Sequence, residues 1–300
     1  MALPRSGLGV VLGALLGVSG CREPPAEPAI AAGEVYAVQV SGVEGPGAGS
    51  RSRAGDWARR EVEDALRRAG MFAPADDRPE LTALQAVVAY DEIRTRDGQV
   101  LRLQIQMERP PALASKLAEL EATVELERED GKVELRRDVP VALDRAVGVL
   151  EAKVRLAAGG AEAAAALLGS EDPELVLLAL GWSAAEQHRE NADAIAGLLE
   201  HADERVRLAA VECMGQLGGP EHVRYLVASA RLADRAHTGR LYEALAMLGG
   251  EEAYGFLEFA ARNEDDPALA DVAQRSLEQL MAAAELAAMT GGEPLARGHR

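Results

Sequence analysis

Aromatic residues make up only 3% of this 300-residue chain, which has two cysteines, two tryptophans and, among 32 basic residues, just three lysines, Lys116, Lys132 and Lys153. Scarce rings disfavour a large β-sandwich and suit closely packed helices rich in Ala and Leu. Two cysteines, Cys21 and Cys213, rule out a disulfide scaffold. Positive charge is short as well. The formal net charge of −17 excludes a nucleic-acid partner, because phosphate binding needs clustered Lys and Arg. The five histidines, at 188, 201, 222, 237 and 299, form no His-Glu-x-x-His pair and no Cys/His cluster, and there is no G-x-S-x-G turn. No metal site, no cofactor and no catalytic residue is therefore predicted, and the chain reads as a non-enzyme. Gly45-Pro46-Gly47-Ala48-Gly49 lacks the Gly-Lys-Ser/Thr ending of a phosphate loop and is read as a plain loop before a helix that leads into hairpins.

What is present is enough to fold. Apolar residues make up 48% of the chain, so a real core in one large domain or two ordinary ones is expected. Residues 1–20 carry one charge, Arg5, then Gly, Leu and Val, then small residues, the pattern of a secretory signal. Its uncharged stretch, Ser6 to Gly20, is about 15 residues, short of the roughly 20 that span hydrocarbon. Residues 21–34, rich in Pro, Ala and Glu, read as a tether.

Val18-Ser19-Gly20-Cys21 resembles the lipobox of bacterial lipoproteins. The resemblance implies that Cys21 is the lipidation site and, after cleavage, an acylated N-terminus carrying chains such as palmitate. Several chains meet the requirement that stable anchoring takes more than one. It also implies a cell-envelope location anchored to a membrane, and Arg22 after the cysteine resembles an outer-membrane address facing the periplasm.

Residues 35–143 read as a small α+β domain of order β-α-β-β-β-β with an antiparallel sheet. Val35 to Val43 alternates, and a helix follows with Asp56 as its N-cap and Gly70 at its end. Leu81–Thr95 and Val100–Glu108 flank Asp97-Gly98 as a hairpin. In the second of these, Leu101, Leu103, Ile105 and Met107 alternate with Arg102, Gln104, Gln106 and Glu108. A second hairpin is predicted about Asp130-Gly131, with Val124 and Leu126 before it and Val133, Leu135, Val139 and Val141 after it.

From residue 144 to 283 the chain begins to resemble itself at an interval of 31. Asp172, Asp203 and Asp234 keep that spacing and Asp265 continues it; Leu217-Gly218-Gly219 recurs as Leu248-Gly249-Gly250; Ile195, Leu226 and Leu257 stay in step. This unit resembles the HEAT-like repeats, helix pairs with an acidic turn before the second helix, which implies an α-solenoid. Its departure near 181–191, where Glu186 stands for a leucine and the Leu-Gly-Gly turn is missing, predicts irregular packing there. Residues 284–300 are left as a flexible tail.

Cys213 shares a helical face with Val206, Ala210 and Leu217 and reads as a buried thiol, and Trp57 and Trp182 read as core anchors. Arg205, Glu212, Gln216, Arg240 and Glu243 fall away from the packed seam. The resemblance to HEAT-like arrays makes them the candidate partner-binding residues of a protein–protein interaction scaffold, whose partner is another envelope protein. The alternative is a small-molecule-binding enzyme or enzyme subunit, similar to the HEAT-like tetrapyrrole lyases, with a ligand in the interdomain cleft.

Overall fold

The computed structural model describes residues 34–46, 53–96, 98–127, 131–230 and 235–289. The signal, Cys21, the tether up to residue 33 and the residues from 290 onward lie outside them. A five-stranded sheet comes first and a run of helices follows. The sheet unit contains β1 (Tyr36–Glu44), α1 (Arg53–Arg68), β2 (Phe72–Pro74), β3 (Leu84–Arg94), β4 (Gln99–Met107) and β5 (Leu120–Glu127), with strand order β2-β1-β3-β4-β5.

The succession β-α-β-β-β-β holds, but through different strands. β2 has only three residues, too few to show alternation, and is fixed by Phe72, which is 2% exposed and pairs with Tyr36. The sheet is mixed rather than antiparallel, since β1 runs parallel to both β2 and β3 while β3, β4 and β5 form antiparallel hairpins. α1 starts at Arg53, so Asp56 lies in its first turn instead of capping it. On β4 the alternation runs from Leu101 on: Leu101, Leu103, Ile105 and Met107 are buried, with the next helix packed over the strand, and Arg102, Gln104 and Gln106 face solvent.

The segment read as a last strand, Val133 to Val141, instead leads into α2 (Leu135–Leu168). Val139, Leu143, Ala146, Leu150, Val154 and Ala157 are buried at helical spacing, whereas Val141, which an alternating strand would bury with Val139, is 37% exposed. Asp138 secures the start: wholly buried, it accepts the Glu134 backbone N–H at 2.8 Å and pairs with Arg137 at 2.8 Å. Arg136 lies 5.3 Å over the Trp57 ring, which joins α2 to α1. The division expected between residues 143 and 144 thus falls inside a continuous helix. The buried cluster around the sheet takes α2 residues up to Ala157, and the array's cluster begins at Leu168. Between them Gly160 leaves helical geometry at φ 55°, ψ −131°, a left-handed position that glycine accepts without a Cβ clash.

The array comprises α3 (Pro173–Ala185), α4 (Ala192–Ala196), α5 (Glu204–Leu217), α6 (Val223–Ser229), α7 (Arg235–Leu248), α8 (Gly250–Asn263) and α9 (Pro267–Met289). Asp172 and Asp203 cap α3 and α5 by accepting from Glu174 and Arg205 N–H at 3.0 and 2.8 Å. In α9 that part belongs to Asp266, bonded to Ala268 N–H at 2.9 Å, and not to Asp265, because one extra residue precedes this helix. Asp234 lies outside the described residues. Ile195, Leu226 and Leu257 are wholly buried in one cluster with Cys213, whose thiol burial pushes up to about 11. The 181–191 segment is irregular: Gln187 has φ 58°, and Asn191 bonds Ala161 and Ser183 in place of a regular turn. α9 continues to Met289, so 284–289 are helical rather than tail.

Two outcomes follow from this packing. Leu226→Asp places an unpaired charge at a fully buried site and is expected to cost at least about 3 kcal/mol, whereas the exposed Glu212→Ala stays within about half a kcal/mol. Thermal melts of both variants check the register, and equal melting temperatures would refute it. A fragment of residues 34–158 keeps every α2 side chain of the sheet core and should melt cooperatively, while 34–143, stripped of Ala146 to Ala157, should not.

Candidate protein-interaction face

Successive second helices of the array, α3, α5, α7 and α9, lie side by side. Each presents to solvent the residues that are not used in the stack. On α5, Arg205, Glu212 and Gln216 are exposed at spacings of seven and four, one stripe of the helix. On α7, Arg240 and Glu243 are exposed and one turn apart.

Ion pairs join most of these residues across helices. Arg205 donates to Glu174 of α3 at 2.7 Å and to Asp203 at 2.8 Å. Arg240 lies 3.3 Å from Glu212 of α5 and 3.5 Å from Glu243. Arg235 meets Asp266 at the head of α9 at 3.0 Å. Four of the five predicted residues therefore fall into two charge clusters, and Gln216 stands exposed one turn beyond Glu212. Glu174, Arg235 and Asp266 were missed. Their signal was available, since Glu174–Arg205 and Arg235–Asp266 are opposite charges one 31-residue interval apart.

Between α7 and α9 the face opens into a groove of about 570 Å³. Leu269 and Val272 supply apolar floor, Gly239 leaves it without a side chain, and Arg235, Arg240 and Glu243 stand at its edge. A partly buried apolar strip edged by charge is the anatomy of a protein-binding surface. Exposed pairs of this kind contribute only about 0–1 kcal/mol each to stability.

Two further places bear on the small-molecule alternative. The loop after β1 does enter a parallel crossover, β1-α1-β2, contrary to the hairpins expected of it. Its described end, Gly45-Pro46, borders a pocket lined also by Glu44, Asp91 and Arg102; Gly47 to Gly49 lie outside the described residues. The second place is a cleft of about 430 Å³ between the turn that precedes β5 and the kinked stretch of α2 with the end of α3. Trp182 and His188 line it. Among the described residues no group of His, Cys, Asp and Glu could hold a metal, and no helix is long and apolar enough to cross a membrane.

The Arg205 guanidinium, hydrogen-bonded to Asp203, depresses its carboxyl below the ordinary value, helped by the capped backbone amides of Arg205 and Val206. A lowered carboxyl value means stability that is present above about pH 4 and lost as pH falls through the folded value. Asp203→Ala is expected to cost about 1 kcal/mol at neutral pH and to flatten the acid limb of the stability curve, while Asp203→Asn, still able to cap, costs less. Urea melts between pH 3 and 7 would show it. An acid limb unchanged in Asp203→Ala would refute the assignment.

No curated protein matches the chain. A solved structure, the PelC L103M dodecamer from Paraburkholderia phytofirmans, is similar over 40% of this chain and 90% of its own, at 18% identity and a TM-score of 0.26. The family model described as HEAT repeats matches residues 161–240 and again 193–278. HEAT repeats thus occupy residues 161–278, the part of the chain that carries the stacked helices, the ion pairs and the groove.

Proposed function

We propose that this chain is an envelope lipoprotein, anchored through acyl chains on Cys21, whose HEAT repeats hold another envelope protein, and that it is a binding module rather than an enzyme. The observation that carries the scaffold reading is the α7–α9 groove, with Leu269 and Val272 on its floor and Arg240 and Glu243 at its edge. The anchor rests on Val18-Ser19-Gly20-Cys21, and the outer-membrane, periplasm-facing site on Arg22. The tether of residues 21–34, at roughly 3 Å per residue, would let the folded part stand up to about 40 Å from the bilayer.

A second reading has one observation in its favour. If the chain serves as a small-molecule-binding enzyme subunit, the cleft at Trp182 and His188 is where the ligand sits.

Cross-linking in intact cells with a photoreactive residue at Gln216, followed by membrane fractionation, tests both parts of the main reading. The wild-type chain should fractionate with membranes, carry acyl mass on Cys21 and form one discrete adduct. Cys21→Ser should abolish the acyl mass and the processing at that site. Arg240→Glu, at a side chain 56% exposed, should weaken the adduct severalfold with no change in melting temperature. An unmodified Cys21 in the mature wild-type chain overturns the anchor, and an adduct that ignores Arg240→Glu overturns the face.

A further inference from the structure

At one position α7 departs from the helices before it. One repeat apart, α3, α5 and α7 carry Leu177, Leu208 and Gly239. Leu177 packs on the array's core and Leu208 is half-buried. Gly215, two turns after Leu208 and on the same side of α5, faces Ala244 of α7, so this side of each helix looks toward the next one. On α7 the equivalent side has no side chain at Gly239 and opens onto the groove of about 570 Å³ beside Leu269 and Val272, both half-buried.

Nothing in the fold asks for glycine there. Gly239 is not at a positive φ, and a Cβ on it would meet Leu269 Cδ2 at 3.8 Å, an ordinary contact. Gly215 shows the contrast: Ala244 Cα lies 3.0 Å from where its Cβ would stand, so the close approach of α7 holds that residue to glycine. Gly181, Gly197 and Gly255 also have room, but their Cβ positions face open space with no neighbour and shape no pocket. Glycine weakens a helix interior, and at residue 239 no close contact within the chain offsets that loss.

We infer that Gly239 turns the α7–α9 groove into a socket for one branched aliphatic side chain, a leucine by the measure of the two preceding helices, presented by a different protein. The inference rests on the scaffold reading of this face and names what the partner brings to it. The chain's own tail does not fill the socket: α9 from Val272 to Met289 is about 25 Å long, and the chain from Met289 to Leu295 spans at most about 20 Å even fully extended. A second copy is disfavoured by charge, since each chain carries a formal −17. The rim carries both signs, Arg235 and Arg240 against Glu243, which a partner matches with an acidic and a basic side chain on either side of its leucine.

The test uses the full chain in intact cells with the photoreactive residue at Gln216, outside the socket. Gly239→Leu supplies the missing side chain from within: the purified variant should melt above wild type, and in cells it should cut the adduct at least about tenfold, the loss expected when one apolar side chain is no longer buried. Gly239→Ala gains the helix former without filling the socket, and it should melt above wild type and keep the adduct within about twofold. An adduct of wild-type strength in Gly239→Leu, an equal loss in both variants, a Gly239→Leu chain that melts below wild type, or an adduct made of two copies of this chain each overturns the proposal. An adduct weakened by Arg240→Glu but not by Gly239→Leu keeps the face and removes the socket, whereas no wild-type adduct at all removes both.

Discussion

The one element on which both halves of the molecule depend is α2. Its first six turns close the sheet unit: Val139, Leu143, Ala146, Leu150 and Val154 are buried beneath β4 and β5, on the face that β4's alternation turns inward. Its last turns are the first layer of the array, where Leu168 joins the core of the stacked pairs and α3 packs alongside. A solenoid needs a terminal surface that keeps its end repeat from exposing apolar area. Here the sheet unit and the shared helix supply it, and the first repeat is correspondingly the irregular one. The break at Gly160 separates the stretch of α2 that closes the sheet unit from the stretch that joins the array, and the positive φ at Gln187 and the Asn191 hydrogen bonds mark the irregular first repeat that follows.

How much of this was legible in the sequence depended on which physical signal dominated locally. β3, β4 and β5 were readable because one face is dry and one wet, so alternation survives in the residues themselves. The stretch after Asp130-Gly131 misled for an equally physical reason. Val133, Leu135, Val139 and Val141 are β-formers flanking a turn signal, yet only Val139 of the four is buried. The helix there is decided by tertiary packing from Ala142 to Ala157 and by Asp138 folded back on Glu134, neither of which has a local signature. β2 could not be read at all, because three residues show no period and its place is set by pairing with β1 across an intervening helix.

The repeat was legible for the opposite reason, that it is quasi-one-dimensional and each layer meets the same surroundings. Even so, identical letters do not guarantee identical backbone. Leu217-Gly218-Gly219 and Leu248-Gly249-Gly250 match in sequence, but Gly249 and Gly250 have φ of 72° and 89°, while Gly218 and Gly219 sit at −71° and −127°. Pro220 follows the first tripeptide and Glu251 the second. The chain after the first turns through Pro220, and the second turn then packs against that proline, a Cβ on Gly250 coming within 3.0 Å of it. A separate irregularity, one extra residue before α9, moves the last cap from Asp265 to Asp266. Period locates the helices; the turns between them are settled by their neighbours.

The candidate face inherits this logic. Because the second helices are registered one repeat apart, a charge at a given position of one helix meets its counterpart on the next, as Glu174 meets Arg205 and Arg235 meets Asp266. Each pair is solvent-exposed and adds little to stability, so stability alone does not account for a row of them. What the row does is hold long side chains in fixed positions beside the groove formed by Gly239, Leu269 and Val272, which lowers the entropy that a docking partner would otherwise have to remove from them. On the proposed scaffold reading, the apolar floor would supply affinity through burial and the charged edge would select which surface buries it.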